Sequence, residues 1–297
     1  MNKRIQLLPA VLVTFMLLAL PGCFTGIEGT AKIKYSSSKG DMVLSAEESI
    51  LDNAMPVPIS QWERRKEFIL TDGRLDMAYS PLSIVKTLQP YDTIYYNGVR
   101  DIVTLSGDTV SEILFIDKHG NEIYNRVKIS KLKLFKLNQF SVPFTIDVDV
   151  IQRSSDILTG LTVWPIKPLS DGIKYSKRGI IAVQPGDSEY PIMLKLNNGD
   201  SIKILLSNHN SSSRNFANLF SLTDPKLNYP QITDSNWELI CHGKVAIGMS
   251  NNECRLALGA PKSIDRITGY NGLNERWTYD DGKYLIFVDG ILTSFRE

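Results

Sequence analysis

His242 stands beside Cys241, and Cys254 follows thirteen residues later, a grouping that invites a metal ion. A zinc site needs four ligands in close pairs, and the second pair is missing, so core packing is expected here and no metal. Outside the cytoplasm the same two cysteines could form a disulfide, which the sequence leaves open. His119 in KHGN and His209 in SNHN both sit in turn-like surroundings. Asp147 and Asp149 in TIDVDV could chelate a cation, but strict alternation puts them on the wet face of a strand, with Ile146, Val148 and Val150 inward. No G-x-S-x-G elbow and no H-E-x-x-H pair occurs, so no catalytic residue and no cofactor is expected. Tyr91, Tyr95 and Tyr96 in PYDTIYYNG form a dense aromatic cluster, the candidate surface for peptide or sugar contacts, with packing inside a sheet as the alternative.

The start of the chain carries chemistry of another kind. Lys3 and Arg4 precede an apolar run from Leu7 to Leu20, and Gly22 supplies a small residue before a cut. The run is shorter than the roughly 20 apolar residues of a membrane span. It reads as a signal peptide, residues 1–22. The LPGC that follows, Leu20 to Cys23, resembles the lipobox of bacterial lipoproteins, whose cysteine becomes the lipidated first residue of the mature chain. The resemblance implies acyl chains such as palmitate on Cys23, and several of them at about 0.8 kcal/mol per buried CH2 make an effectively permanent membrane anchor. Only Glu28 is acidic soon after Cys23, which favours the periplasmic face of the outer membrane over surface export. A secreted soluble protein cut near Gly22 is the alternative.

Loss of residues 1–22 removes Lys3 and Arg4 and leaves 31 basic against 32 acidic residues. Such a balance gives no electrostatic footprint for nucleic acid. Residues 23–55, with KYSSSKGD, read as a flexible tether. From Met55 onward short runs of Ile, Val, Leu, Phe and Tyr are broken by Asp-Gly, Asn-Gly, Ser-Gly or Pro-Gly, the pattern of antiparallel β structure, and no long amphipathic helix is expected before residue 230. LSGDTVSEILFIDKHGNEI from Leu105 and QPGDSEYPIMLKLNNGDSI from Gln184 match without a gap at an offset of 79, as one hairpin used twice. WERRKEFIL and LTGLTVWPI read as the strands that lead into the two copies. The expected organisation is mainly β and multidomain: tandem small antiparallel barrels or sandwiches at 56–132 and 143–212, a linker at 213–231, and an α+β domain at 232–297.

In that last segment Ser235 with Glu238 and Ser250 with Glu253 both fit the S-x-x-E capping box, so two short helices are expected before a meander of strands. The pattern IGMSNNECRLALGAPKSID followed by ERWTYDDGKYLIFVDGILTSF resembles the SmpA/OmlA family of outer-membrane lipoproteins, the BamE-type small subunit of the outer-membrane assembly machinery. The resemblance spans about 65 of 297 residues and implies a module that binds protein partners without catalysis. On the strand ERWTYD, alternation directs Trp277 and Tyr279 toward the helices, so Trp277 is expected in the core. These readings lead to the expectation of a non-enzymatic, lipid-anchored envelope protein that binds another envelope protein. The alternative is a lipoprotein holding a glycan or peptide in its tandem β modules.

Overall fold

The computed structural model describes residues 45–71, 73–206, 212–269 and 272–296. The signal peptide and Cys23 lie outside them, as does His209. The fold is mainly β, with three antiparallel sheets. Among the described residues no helix is long and apolar enough to cross a membrane.

A single turn, α1 (Ala46–Ser49), precedes the first sheet, which is built from β1 (Glu67–Leu70), β2 (Tyr79–Ser80), β3 (Thr93–Val103), β4 (Thr109–Ile116), β5 (Glu122–Val127) and β6 (Thr145–Asp147). The short helix α2 (Leu82–Val85) follows β2, and α3 (Lys131–Leu134) lies between β5 and β6. Spatial order is β2-β5-β4-β3-β1-β6. Alternation turns Ile113, Phe115 and Ile123 inward, where they meet Trp62, Phe68, Tyr79 and Tyr96. Phe115 is the hub of the aromatic packing, edge-on to Phe68 at 5.7 Å, Tyr79 at 6.1 Å and Tyr96 at 6.2 Å.

On β4 one charge is drawn inside. Glu112, with a side chain only 3% exposed, accepts hydrogen bonds from Arg100 (2.8 Å) on β3 and Arg126 (2.7 Å) on β5, its register partners to either side. Burial alone would raise the Glu112 pKa, but the two guanidinium groups outweigh it and hold the carboxyl below its ordinary value. A depressed folded pKa contributes stability above the unfolded value near 4.5, lost as pH falls through the folded pKa. Acid unfolding followed by circular dichroism should therefore show a steeper loss in the wild type than in Glu112→Gln. Superimposable acid limbs would remove Glu112 from the cause.

The second sheet follows the same path without a counterpart of β2. After α4 (Val148–Leu158) come β7 (Thr162–Pro165), β8 (Arg178–Pro185), β9 (Ile192–Leu196), β10 (Ser201–Ile204), the turn α5 (Phe216–Leu219) and β11 (Phe220–Ser221), in spatial order β10-β9-β8-β7-β11. In each sheet a three-strand meander is flanked by its leading strand (β1 or β7), and the chain returns through a single helical turn to pair with that strand's free side. The offset of 79 carries into the pairing. Ile113 faces Asn125 where Ile192 faces Ile204, and Phe115 faces Ile123 where Leu194 faces Ile202. Gly120 (φ +85°) and Gly199 (φ +93°) close the equivalent turns. The preceding turns differ. Gly107 takes φ +87°, whereas Gly186 is glycine because an added Cβ would lie 2.0 Å from the Tyr190 carbonyl oxygen.

Several boundaries differ from those expected. The first sheet includes β6 and so runs past residue 132, and the second includes β11, beyond 212. Leu51 and Ala54, expected in the tether, are fully buried in the second core beside Val150, Leu158 and Phe216. TIDVDV is not one strand. β6 ends at Asp147, whose carboxylate caps the Asp149 amide at 3.0 Å, and an eleven-residue helix follows with Val150, Ser154 and Leu158 buried at four-residue spacing. Asp147 is therefore not on a wet face: its side chain is 9% exposed and pairs with the buried Lys66 at 2.7 Å, whereas Asp149, which also meets Lys66, keeps its side chain half exposed.

Candidate functional site

The C-terminal part holds α6 (Asp234–Cys241), α7 (Asn251–Leu258) and a four-stranded meander, β12 (Ser263–Gly269), β13 (Gly272–Thr278), β14 (Tyr284–Val288) and β15 (Ile291–Arg296). Ser250 and Glu253 form the expected capping box. Ser235 and Glu238 do not, because α6 begins two residues earlier and Thr233 caps it through the Asn236 amide. Trp237, Ile240 and Cys254 from the helices meet Trp277, Leu285, Phe287 and Leu292 from the sheet in one apolar cluster. Trp277 is core, 2% exposed and packed on Phe287 at 4.7 Å between ring centres. Its indole N–H donates to Glu275 at 3.2 Å, and the other Glu275 oxygen accepts from Arg266 at 2.7 Å.

Beyond Glu275 the hairpin of β12 and β13 outruns this core. Residues 265–269 are all exposed and Leu273 is uncovered, although it shares a sheet face with Trp277. β12 pairs with β13 alone, so its outer edge offers unpaired amides and carbonyls. Charged Asp265 and Arg266 sit on it, and Ile267 is 69% exposed. A groove of about 490 Å³ lies beside α7, lined by Tyr229, Ile232, Asn252, Glu253, Arg255 and Leu256 among others. Arg255 joins the two features, since its guanidinium sits 5.0 Å over the Trp277 ring, and Trp277 is the register partner of Ile264 on β12. The open β12 edge can accept an extended partner strand, and the groove on α7, mostly polar in its lining, adds one acid and one base.

This part is fastened to the second sheet from below. Lys174, in the β7–β8 connection, is buried and donates from Nζ to the carbonyl oxygens of Ala257 (2.6 Å) and Leu256 at the end of α7, where a cation suits the helix dipole. Burial draws the Lys174 pKa below its ordinary value. The adjacent Tyr175 stacks on Trp237 at 5.6 Å.

Nucleophile chemistry finds little support in the geometry. Cys241 and Cys254 are free thiols, and burial pushes Cys254 up to about 12, so it holds its proton at neutral pH. His242 Nδ1 lies 2.8 Å from the Glu238 carbonyl oxygen, in the last turn of its own helix. Among the described residues no three of His, Cys, Asp and Glu gather as for a metal ion.

The three tyrosines do not share one surface. Tyr91 precedes β3 at φ +73° and is 70% exposed, and Tyr95 is half-buried on one face of β3. Tyr96, on the opposite face, is buried edge-on against Trp62 at 5.3 Å, so it serves packing rather than contact. The β12 edge was not singled out in the sequence, although its signal is there. In SIDRIT, charge and isoleucine fall on both faces, as suits a strand with little to bury. No family model matches the sequence, and neither a curated protein nor a solved structure matches it.

Proposed function

We propose that this chain is a lipid-anchored cell-envelope protein that acts by binding rather than catalysis, with a protein partner held at its C-terminal part. In this reading it comprises tandem small β units followed by an α+β domain of the SmpA/OmlA type, tethered by Cys23 to the periplasmic face of the outer membrane. The observation that carries the reading is the exposed β12 edge, which suits the addition of a partner strand. LPGC supports the anchor. The role proposed is a scaffold or subunit in outer-membrane assembly or maintenance.

Two measurements test it. Cells fed an acyl precursor should label the wild type but not Cys23→Ala, and the variant should leave the membrane fraction. A photo-crosslinking residue at Ile267 should capture an envelope protein that the same residue at the equally exposed Met77 does not. An unlabelled, soluble wild type overturns the anchor, and equal capture at both positions overturns the binding site.

A second reading places a glycan or peptide between the two β units. It is favoured by a cleft of about 490 Å³ there, lined by Met55, Phe140, Pro191 and Leu206 among others. Crosslinks from Phe140 rather than from Ile267 would select it.

A further inference from the structure

The hairpin of β3 and β4 overhangs the first sheet. β5 reaches β4 only as far as Ser111, so Ile102, Val103, Thr109 and Val110 have no third strand beside them. At the tip Val103 is 73% exposed and Leu105 fully so. The segment after β5 is pinned against this overhang. Asp101 on β3 accepts from the Lys131 amide at 2.7 Å, and the Ser111 hydroxyl lies 2.9 Å from Asp101 and 2.8 Å from the Ile129 carbonyl. α3 therefore starts two residues short of Val103 along the strand. It exposes Leu132, while Lys128, Lys131, Lys133 and Lys136 are all exposed around it.

The charge here departs from the near-neutral whole. Between Glu122 and Asp147 the chain holds five basic residues and no acid. The acids of the hairpin besides Glu112 are Asp101, engaged as above, and Asp108, whose carboxylate accepts from Ser106 at 2.8 Å. Glu112 and Glu122 are held by Arg100 and Arg126. The result is an apolar tip and an apolar helix residue set among four lysines without partner acids on their own segment.

We propose that this face docks on an anionic phospholipid bilayer, with Val103, Leu105 and Leu132 entering the headgroup boundary and the lysines meeting lipid phosphates. The charge is complementary to an anionic leaflet, and the exposed apolar residues supply the second requirement of an interfacial site. A soluble polyanion would use the lysines but leave those apolar side chains in water. The inference is independent of Cys23.

Its test is sedimentation with vesicles of phosphatidylcholine, with and without phosphatidylglycerol. Residues 43–297 suffice, since they form one compact unit holding all three apolar clusters and lack the lipid cysteine. The protein should sediment only with the phosphatidylglycerol vesicles, and less as salt rises. Lys131→Gln with Lys133→Gln should weaken binding roughly 30-fold. Leu105→Asn with Leu132→Asn should weaken it roughly tenfold. Both pairs are on exposed positions and should melt as the wild type does. Lys262→Gln with Lys283→Gln removes the same charge from the C-terminal sheet and should bind as the wild type. The proposal is overturned if neither vesicle binds, if the control pair weakens binding as much as the α3 pair, or if heparin binds the protein while the vesicles do not.

Discussion

Trp277→Ala should unfold the C-terminal part while the two preceding sheets stay folded. The side chain is almost fully buried, packs on Phe287, lies beneath the Arg255 guanidinium and donates to the buried Glu275. Truncating a buried tryptophan costs about 3–5 kcal/mol, because the cavity it leaves cannot be refilled by its neighbours. A unit of this size commands only about 3–5 kcal/mol of total stability. Removing the indole also leaves a Glu275 oxygen short of a donor in a nearly dry site, which adds to the loss. Limited proteolysis of the whole protein reads the effect: new cuts should fall after residue 230, and a fragment with both β sheets should survive. Trp277→Phe keeps the ring contact with Phe287 and loses only the N–H, so it should be far milder, about 1 kcal/mol. If Trp277→Ala keeps wild-type proteolysis and instead loses capture at Ile267, then Trp277 belongs to the contact surface.

What could be read in the sequence was the local part of the fold. The β4–β5 and β9–β10 hairpins follow from alternation and from Gly120 and Gly199, whose positive φ only glycine adopts freely. The Ser250–Glu253 box and the inward face of Trp277 are likewise set by residues a few positions apart. The failures have a common cause in non-local packing. Leu51 and Ala54 look like tether until the second sheet, more than a hundred residues later, provides the surface that buries them. The helix after Asp147 is hidden because Val148 and Val150 alternate with acids like a strand, and because its buried stripe includes the polar Ser154. Thr233 rather than Ser235 caps α6, although both can accept from a helix amide, and composition cannot choose between them. Tyr91, Tyr95 and Tyr96 are close in sequence but the pleat separates the last two. The β12 edge is a property of what is absent from one side of a strand, and that is settled by where the meander ends.

The ion pairs at Lys66 join the first sheet to the helix of the second core, and their loss should rank with the truncation of a buried aromatic as a damaging single change. Lys66 immediately precedes β1 and its side chain is 4% exposed. Its ammonium meets Asp147, at the end of β6, and Asp149, in the first turn of α4. Lys66→Met removes the cation but leaves the Asp147 carboxylate buried, with its second oxygen already lacking a protein donor. Breaking a buried pair from one side costs about 3–5 kcal/mol, chiefly through the charge left behind. The cost should therefore fall if that charge is also removed. Asp147→Asn is suited to this, since asparagine still accepts the Asp149 amide and preserves the helix cap. Lys66→Met with Asp147→Asn should be more stable than Lys66→Met alone, and the cycle of the two single variants and the pair should give a coupling of about 2 kcal/mol or more in denaturant titrations. Additive single effects would mean that Lys66 contributes only its packed methylene stem. A coupled result would instead show that β1 and β6 of the first sheet are joined by one buried ion pair, whose acid also caps the helix that packs into the second core.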